Sequence, residues 1–168
     1  MTTQTKKITY CALMMALTFV MTTLIKIPIP NGYIHLGDGA VLLSAFILGP
    51  WGGLIAAAFG SAGADYFGGF GAYVLPTFIA KGTMAFIFGY CIQRFPQKNK
   101  LFFLFPAITM MVAIYYVSEI IMYGSVTGPL LDIPFNCLQG VVGVAALIVL
   151  SKPLERFRLE PLKISAKQ

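Results

Sequence analysis

The sequence predicts an all-α membrane protein of six transmembrane helices with both termini on the cytoplasmic side. Three observations predict it. Hydrophobic residues make up 58% of the 168-residue chain and charged residues only 11%, against about 25% charged in an average soluble domain. That is more apolar surface than a core of this size can hide, so lipid is the solvent. The apolar residues come in runs broken by Pro, Gly and charged stretches, and at about 20 residues per span the chain holds five or six spans as a single domain over residues 1–168, with no room for a soluble catalytic domain. Finally, Lys and Arg fall almost entirely on one side of a six-span arrangement, and these residues set topology.

Helix 1 is expected over Ile8–Ile25. Lys6 and Lys7 ahead of it resemble the start of a signal peptide, but no small-residue cleavage site follows, so it reads as a retained helix. The segment from Lys26 to Asp38 contains two prolines and two glycines and must run extended or turning. Helix 2, Gly39–Leu48, ends at Gly49-Pro50. Helix 3 follows Trp51-Gly52-Gly53 and ends near Asp65. Both are short for a 30 Å core at 1.5 Å per residue. The Gly-rich stretch from Tyr66 to Ala72 leads to helix 4, Tyr73–Gln93. A basic stretch, Arg94 to Lys100, leads to helix 5, Leu101–Tyr123. The loop from Gly124 to Leu131 precedes helix 6, Asp132–Leu150, with cytoplasmic tails over about 1–7 and 152–168.

In this order one side receives Lys6, Lys7, Arg94, Lys98, Lys100, Lys152, Arg156, Arg158, Lys163 and Lys167, and the other only Lys26. Five spans would split the basic tails across the membrane. Asp38, Asp65, Glu119 and Asp132 gather at the outer side, with only Glu155 and Glu160 inside. The net charge of +6 therefore reads as topology, not as nucleic-acid binding. Cys11, Cys91 and Cys137 stand singly in apolar runs, as packing residues, without metal-ligand or redox spacing.

Lys81 is the most informative residue. It lies roughly 12 Å into helix 4 from its outer end, where a Lys costs about 2.5–3.5 kcal/mol on insertion scales and so faces a partner or a watery cavity. Glu119 on helix 5 and Asn136 and Gln139 on helix 6 lie at comparable depth, and Asn136 and Gln139, three apart, share a helix face. Gly140 and Gly143 admit a close neighbour there. Tyr33, Tyr73, Tyr115 and Tyr116 lie nearby. A few convergent polar groups with aromatic walls describe a small-molecule pocket, one suited to a flat, polar heteroaromatic ring. Each residue also has a plainer reading: Lys81 and Glu119 as a structural ion pair, Asn136 and Gln139 as bridges between helices, Tyr33 and Tyr73 as an interfacial belt. His35 serves as part of a lid or as an ordinary loop residue, and Asp38 and Asp65 as helix caps or loop pins. Their meeting at one depth beneath three outer loops favours the pocket.

Small residues recur at four-residue spacing, Ala12 and Ala16 on helix 1 and Ala56, Gly60 and Ala64 on helix 3. Such patterns let helices pack closely in lipid, within the chain or against a partner.

The stretches Gly32-Tyr-Ile-His-Leu-Gly-Asp-Gly39, Leu48-Gly-Pro-Trp-Gly-Gly53, Gly60-Ser-Ala-Gly-Ala-Asp65 and Pro76-Thr-Phe-Ile-Ala-Lys-Gly82, with the Asn136 and Gln139 pair, resemble the substrate-binding S components of energy-coupling factor (ECF) vitamin transporters over nearly the whole chain. The nearest branch is the one assigned to hydroxymethylpyrimidine or pyridoxine, grouped with the riboflavin type. The resemblance implies the six-helix ECF S-component fold, a high-affinity pocket at the outer face of a bacterial cell membrane, and loops closing over a vitamin. It also implies a transmembrane coupling subunit (EcfT-like) and two cytoplasmic ATPases as partners, docking through Ala12 and Ala16, and delivery of the cargo by toppling. No GxxxxGK[ST] phosphate loop is present, so ATP chemistry falls to partners, and no cofactor is expected.

Two other classes compete. An intramembrane enzyme is disfavoured because the only His precludes a multi-His metal site, and HExxH and GxSxG are absent. A self-sufficient transporter would be built from inverted repeats or oligomers, and no repeat is visible. S components for other vitamins, such as riboflavin or pantothenate, share the scaffold.

Overall fold

The computed structural model describes residues 2–24, 26–29 and 32–156. Ile25, Pro30 and Asn31 lie outside them, as do Arg158, Glu160, Lys163 and Lys167 of the basic tail.

Helix α1 runs Thr3–Leu24, its first turn capped by Thr2, whose hydroxyl accepts from the Thr5 N–H at 3.2 Å. The expected extended segment is an antiparallel ribbon of β1 (Lys26–Ile29) and β2 (Gly32–His35), with Lys26 opposite His35 and Pro28 opposite Tyr33. Pro28 cannot donate to a ladder, and a two-stranded ribbon is all edge, which is where Pro is tolerated.

Helix α2 spans Gly37–Phe67 and is broken at Gly49, with φ 75° and ψ −170°. As expected, two helical arms, described together as α2, meet at the Gly-Pro step, where the chain changes direction. Positive φ favours Gly, and Pro50 carries no N–H to continue the ladder. A Cβ on Gly53 would lie 2.5 Å from the Ala45 Cα, whereas residues eight apart in a straight helix are separated by about 12 Å. The two arms therefore fold back side by side. Helix α3, Val74–Arg94, follows a short 3-10 turn, Gly71–Tyr73. It closes on the break through Gly89, where a Cβ would sit 2.8 Å from the Pro50 nitrogen. Helix α4 is Leu104–Tyr123, stopped by Gly124 in the left-handed conformation, and α5 is Ile133–Arg156.

Among the described residues, five helical stretches are long and apolar enough to cross a membrane: Gln4–Leu24, Gly37–Phe67, Gly71–Arg94, Lys100–Tyr123 and Gly128–Lys152. Their outward faces carry large apolar side chains, including Phe105, Ile121 and Val149, at 78%, 77% and 67% exposure, as lipid contact requires. The core is built on α2 and α3 from Val41, Leu42, Ala45, Ala57, Ala80, Met84 and Phe88. Close approach depends on small residues. A Cβ on Gly60 would fall 2.7 Å from the Met15 carbonyl oxygen of α1. One on Gly143 of α5 would fall 2.6 Å from the Asp38 Cβ, and one on Gly140 would fall 2.7 Å from Ile108 of α4. Ala12 and Ala16 take no part in this packing, since both are exposed on the outer side of α1.

The ribbon, the turn before α3 and the start of α5 meet at one end of the bundle. The α2 break lies at the other end, beside Gln93 and near Lys100, whose ammonium sits 4.7 Å from the Phe46 ring.

Candidate functional site

A cavity opens beneath the ribbon, lined by five separate elements. The ribbon supplies Ile29, Tyr33 and His35. The last turn of α2 supplies Asp65, and the start of α3 with its preceding turn supplies Tyr73 and Thr77. Helix α4 supplies Tyr115 and Glu119, and α5 supplies Asn136 and Gln139. Side chains on one strand alternate between faces, so Tyr33 and His35 emerge together. On α4 and α5 the i, i+4 and i, i+3 spacings bring each pair onto one face.

Lys81, by contrast, lies behind the lining. Its ammonium is 2.6 Å from Asp38 Oδ1, with both side chains fully buried. It also meets Met111 Sδ at 3.0 Å and lies 5.2 Å from the Tyr115 ring. Lys81 therefore pairs with neither Glu119 nor the open cavity. Asp38, read as a helix cap, is the buried partner: the position before α2 is Leu36, which makes no side-chain cap. Asp65 does pin the ribbon, accepting from the Tyr33 hydroxyl.

A chain of bonds joins the pair to the ribbon. Gln139 donates from Nε2 to Asp38 Oδ2 at 3.2 Å and accepts at Oε1 from the His35 N–H at 2.9 Å. Gln139 thus ties α5 to α2 and to the ribbon at once, with one N–H and one lone pair of its amide still unused. Lys26 holds the ribbon from above, its ammonium 4.3 Å from the Tyr33 ring and 5.0 Å from the Phe70 ring.

The tyrosines have committed their hydroxyls. Tyr115 bonds Thr77 at 3.0 Å, Tyr73 bonds Tyr123 at 2.9 Å, and Tyr33 is held by Asp65. They offer the cavity ring faces. Tyr116 turns away and donates to the Val126 carbonyl. His35 Nδ1 accepts from the Gly37 N–H at 2.9 Å, which leaves the ring proton on Nε2. Burial, with Lys81 and Lys26 nearby, lowers the His35 pKa to about 3, against an opposing pull from Asp38. Its imidazole is neutral at physiological pH. Burial, reinforced by Asp65, raises the Tyr33 pKa, so its phenol stays protonated.

Glu119 is 3% exposed. Its Oε1 is 3.5 Å from the Tyr73 hydroxyl, too long to count for much, and its Oε2 has no hydrogen-bond partner. The Asn136 amide is also uncommitted among the described residues. Among those residues, no three His, Cys, Asp or Glu side chains group as a metal site would require.

Thr77 and Asp65 had not been assigned to the lining from sequence. Thr77 was findable, since it lies one turn from Lys81 on the same face of α3. Asp65 is one of few carboxylates in an apolar stretch, and only the ribbon's position makes it a cavity wall.

As it stands the cavity has a volume of about 30 Å³, where roughly 10–15 Å³ holds one water molecule. A ring enters only if a wall moves. The ribbon is the wall held mainly by side chains, through Lys26, Tyr33 and Gln139.

Comparison with known proteins places the chain. A family model described as "ECF-type riboflavin transporter, S component" matches residues 2–156. A solved structure described as "Structure and mechanism of the S component of a bacterial ECF transporter" superposes with a TM-score of 0.74 at 24% identity, covering 92% of this chain and 98% of that one. The likeness extends to the fold. A curated protein of Pyrococcus woesei, described as "Uncharacterized protein in gap 3'region", is 41% identical over 73 residues, 42% of this chain. The match spans about half of that relative's length, 49%. With a family match running through nearly all of its described residues, this chain belongs to the family of ECF-type riboflavin transporter S components.

Proposed function

We propose that the protein captures a small heteroaromatic vitamin or vitamin precursor in the cavity beneath the ribbon, for ATP-driven uptake by an ECF transporter. Hydroxymethylpyrimidine and pyridoxine are the favoured ligands. The observation that carries this reading is the convergence of five elements on one cavity whose walls are ring faces and whose polar groups, Glu119 and Asn136, are left uncommitted. A flat, polar ring supplies what those walls lack: a face for Tyr33, Tyr73 and Tyr115, and donors and acceptors for the polar groups. His35 contributes a neutral N–H donor. Gln139 positions the ribbon, and Lys81 acts from behind by fixing Asp38 and, through it, Gln139.

In this reading the chain is one domain of six spans, counting the two arms of α2 separately, with both termini cytoplasmic and the ribbon on the outer face. Its partners are a transmembrane coupling subunit and two cytoplasmic ATPases. Ala12 and Ala16, exposed on α1, form the small-residue docking face. The ribbon opens and closes the site.

A second reading, riboflavin as ligand, is favoured by the description of the matched family. A cavity this small favours a single ring over a fused tricycle, which would need a far larger opening. Mass spectrometry of the denatured extract of purified protein tests both. A pyrimidine or pyridine released in stoichiometric amount is expected. Flavin instead moves the assignment to the second reading, and absence of any small molecule after growth in vitamin-rich medium counts against both.

A further inference from the structure

The charges around the cavity do not balance within the protein. Asp65 and Glu119 line it, and Asp38 lies beneath. Among the described residues the one buried ammonium, Lys81, is 2.6 Å from Asp38, and Lys26 is held above the Tyr33 and Phe70 rings. Asp65 is bonded by Tyr33 and lies beside the Thr77 hydroxyl, while Glu119 Oε2 is buried without a hydrogen-bond partner. A buried carboxylate oxygen left unpaired is costly, and such groups in a native cavity call for a donor from elsewhere. Asp65 holds the Tyr33 hydroxyl and Thr77 that of Tyr115, while the Tyr73 hydroxyl, bonded to Tyr123, makes only the long 3.5 Å contact to Glu119 Oε1 and leaves Oε2 without a donor.

Building on the proposal that this cavity holds a heteroaromatic ligand, we infer that Glu119 is its specificity-determining residue, selecting rings that present an exocyclic amine beside a ring nitrogen over rings presenting an oxo group there. An amine beside a ring nitrogen matches a carboxyl group with two parallel bonds. The amine donates to one oxygen of the carboxylate, and the ring nitrogen, made basic by the amine, takes a proton from solvent and donates it to the other. The oxo ring already carries its proton on that nitrogen and is too weakly basic to take up another, so it donates once and sets the oxo lone pair against the second oxygen. Glu119 rather than Asp65 dominates, because Asp65 divides its capacity with the ribbon through Tyr33, whereas among the described residues Glu119 accepts only the long Tyr73 contact. Among the favoured ligands this selects the aminopyrimidine over pyridoxine, which carries no amine.

The test is calorimetric titration of the full chain in nanodiscs with 4-amino-5-hydroxymethyl-2-methylpyrimidine and with its 4-oxo counterpart. The wild-type protein should prefer the amine by roughly 10- to 100-fold, the range for a hydrogen bond to a charged group. Glu119→Gln, which offers a donor where the carboxylate accepted, should shrink that preference by about tenfold or more. Binding of both probes by the wild type without preference overturns the inference. So does an unchanged ratio in a folded Glu119→Gln protein, and both results leave the ligand class intact. Binding of neither probe overturns the inference together with the small-pyrimidine reading on which it rests. Should Glu119→Gln fail to fold, the wild-type ratio decides alone.

Discussion

Lys81 and Asp38, from different helices and far apart in the chain, form a 2.6 Å ion pair from which solvent is fully excluded. Neither charge is tolerable alone at that depth. A buried pair is close to neutral in net energy, but removing one partner leaves the other uncompensated, at a cost of about 3–5 kcal/mol. The pair also sets the position of Gln139, which bonds Asp38 on one side and the ribbon on the other.

Lys81→Met or Asp38→Asn alone should lower thermal stability in detergent by an amount equivalent to about 3–5 kcal/mol. The double variant should be less damaged than the worse of the two, because no orphan charge remains. Strictly additive losses in this cycle would show that the two residues are not coupled.

Acid should loosen the ribbon through His35. An ordinary His titrates near 6.5, whereas buried His35 titrates near 3. Between those values the unfolded chain binds a proton that the folded chain refuses, so stability is complete above pH 6.5 and falls as pH drops toward 3. At pH 5 the loss from this one group is about 2 kcal/mol. Melting curves between pH 7 and pH 5 should show it. His35→Asn, which keeps an acceptor for the Gly37 N–H and does not titrate, should flatten that part of the profile. Equal pH dependence in the two proteins would remove His35 from the account.

Ala12 and Ala16 separate capture from uptake. Both are exposed and far from the cavity, so Ala12→Trp or Ala16→Trp should leave ligand affinity unchanged while uptake by cells containing the coupling subunit and ATPases falls to background. Undiminished uptake in a host lacking those partners would favour a self-sufficient transporter.

Apolar runs, the Gly49-Pro50 break and the Gly124 stop were legible in the chain because each acts within a few residues: span length, a positive φ or a missing N–H needs no knowledge of the rest of the molecule. Depth was legible for the same reason, since counting along a helix places Glu119, Asn136 and Gln139 near one level. Partnership was not. Lys81 could be seen to need a counter-charge, and Glu119 was the expected one, with Asp38 read as a cap; Asp38 took that place once Gly143 brought α5 against the first turn of α2 and the folded-back arms of α2 set Asp38 beside α3. The same packing turned Gln139 from a free amide into a strut and made Asp65 and Thr77 walls of the cavity. Local chain chemistry decides where helices begin, end and bend. Which charge meets which is set by close contacts between distant glycines and their neighbours, and so it was decided only when the helices packed.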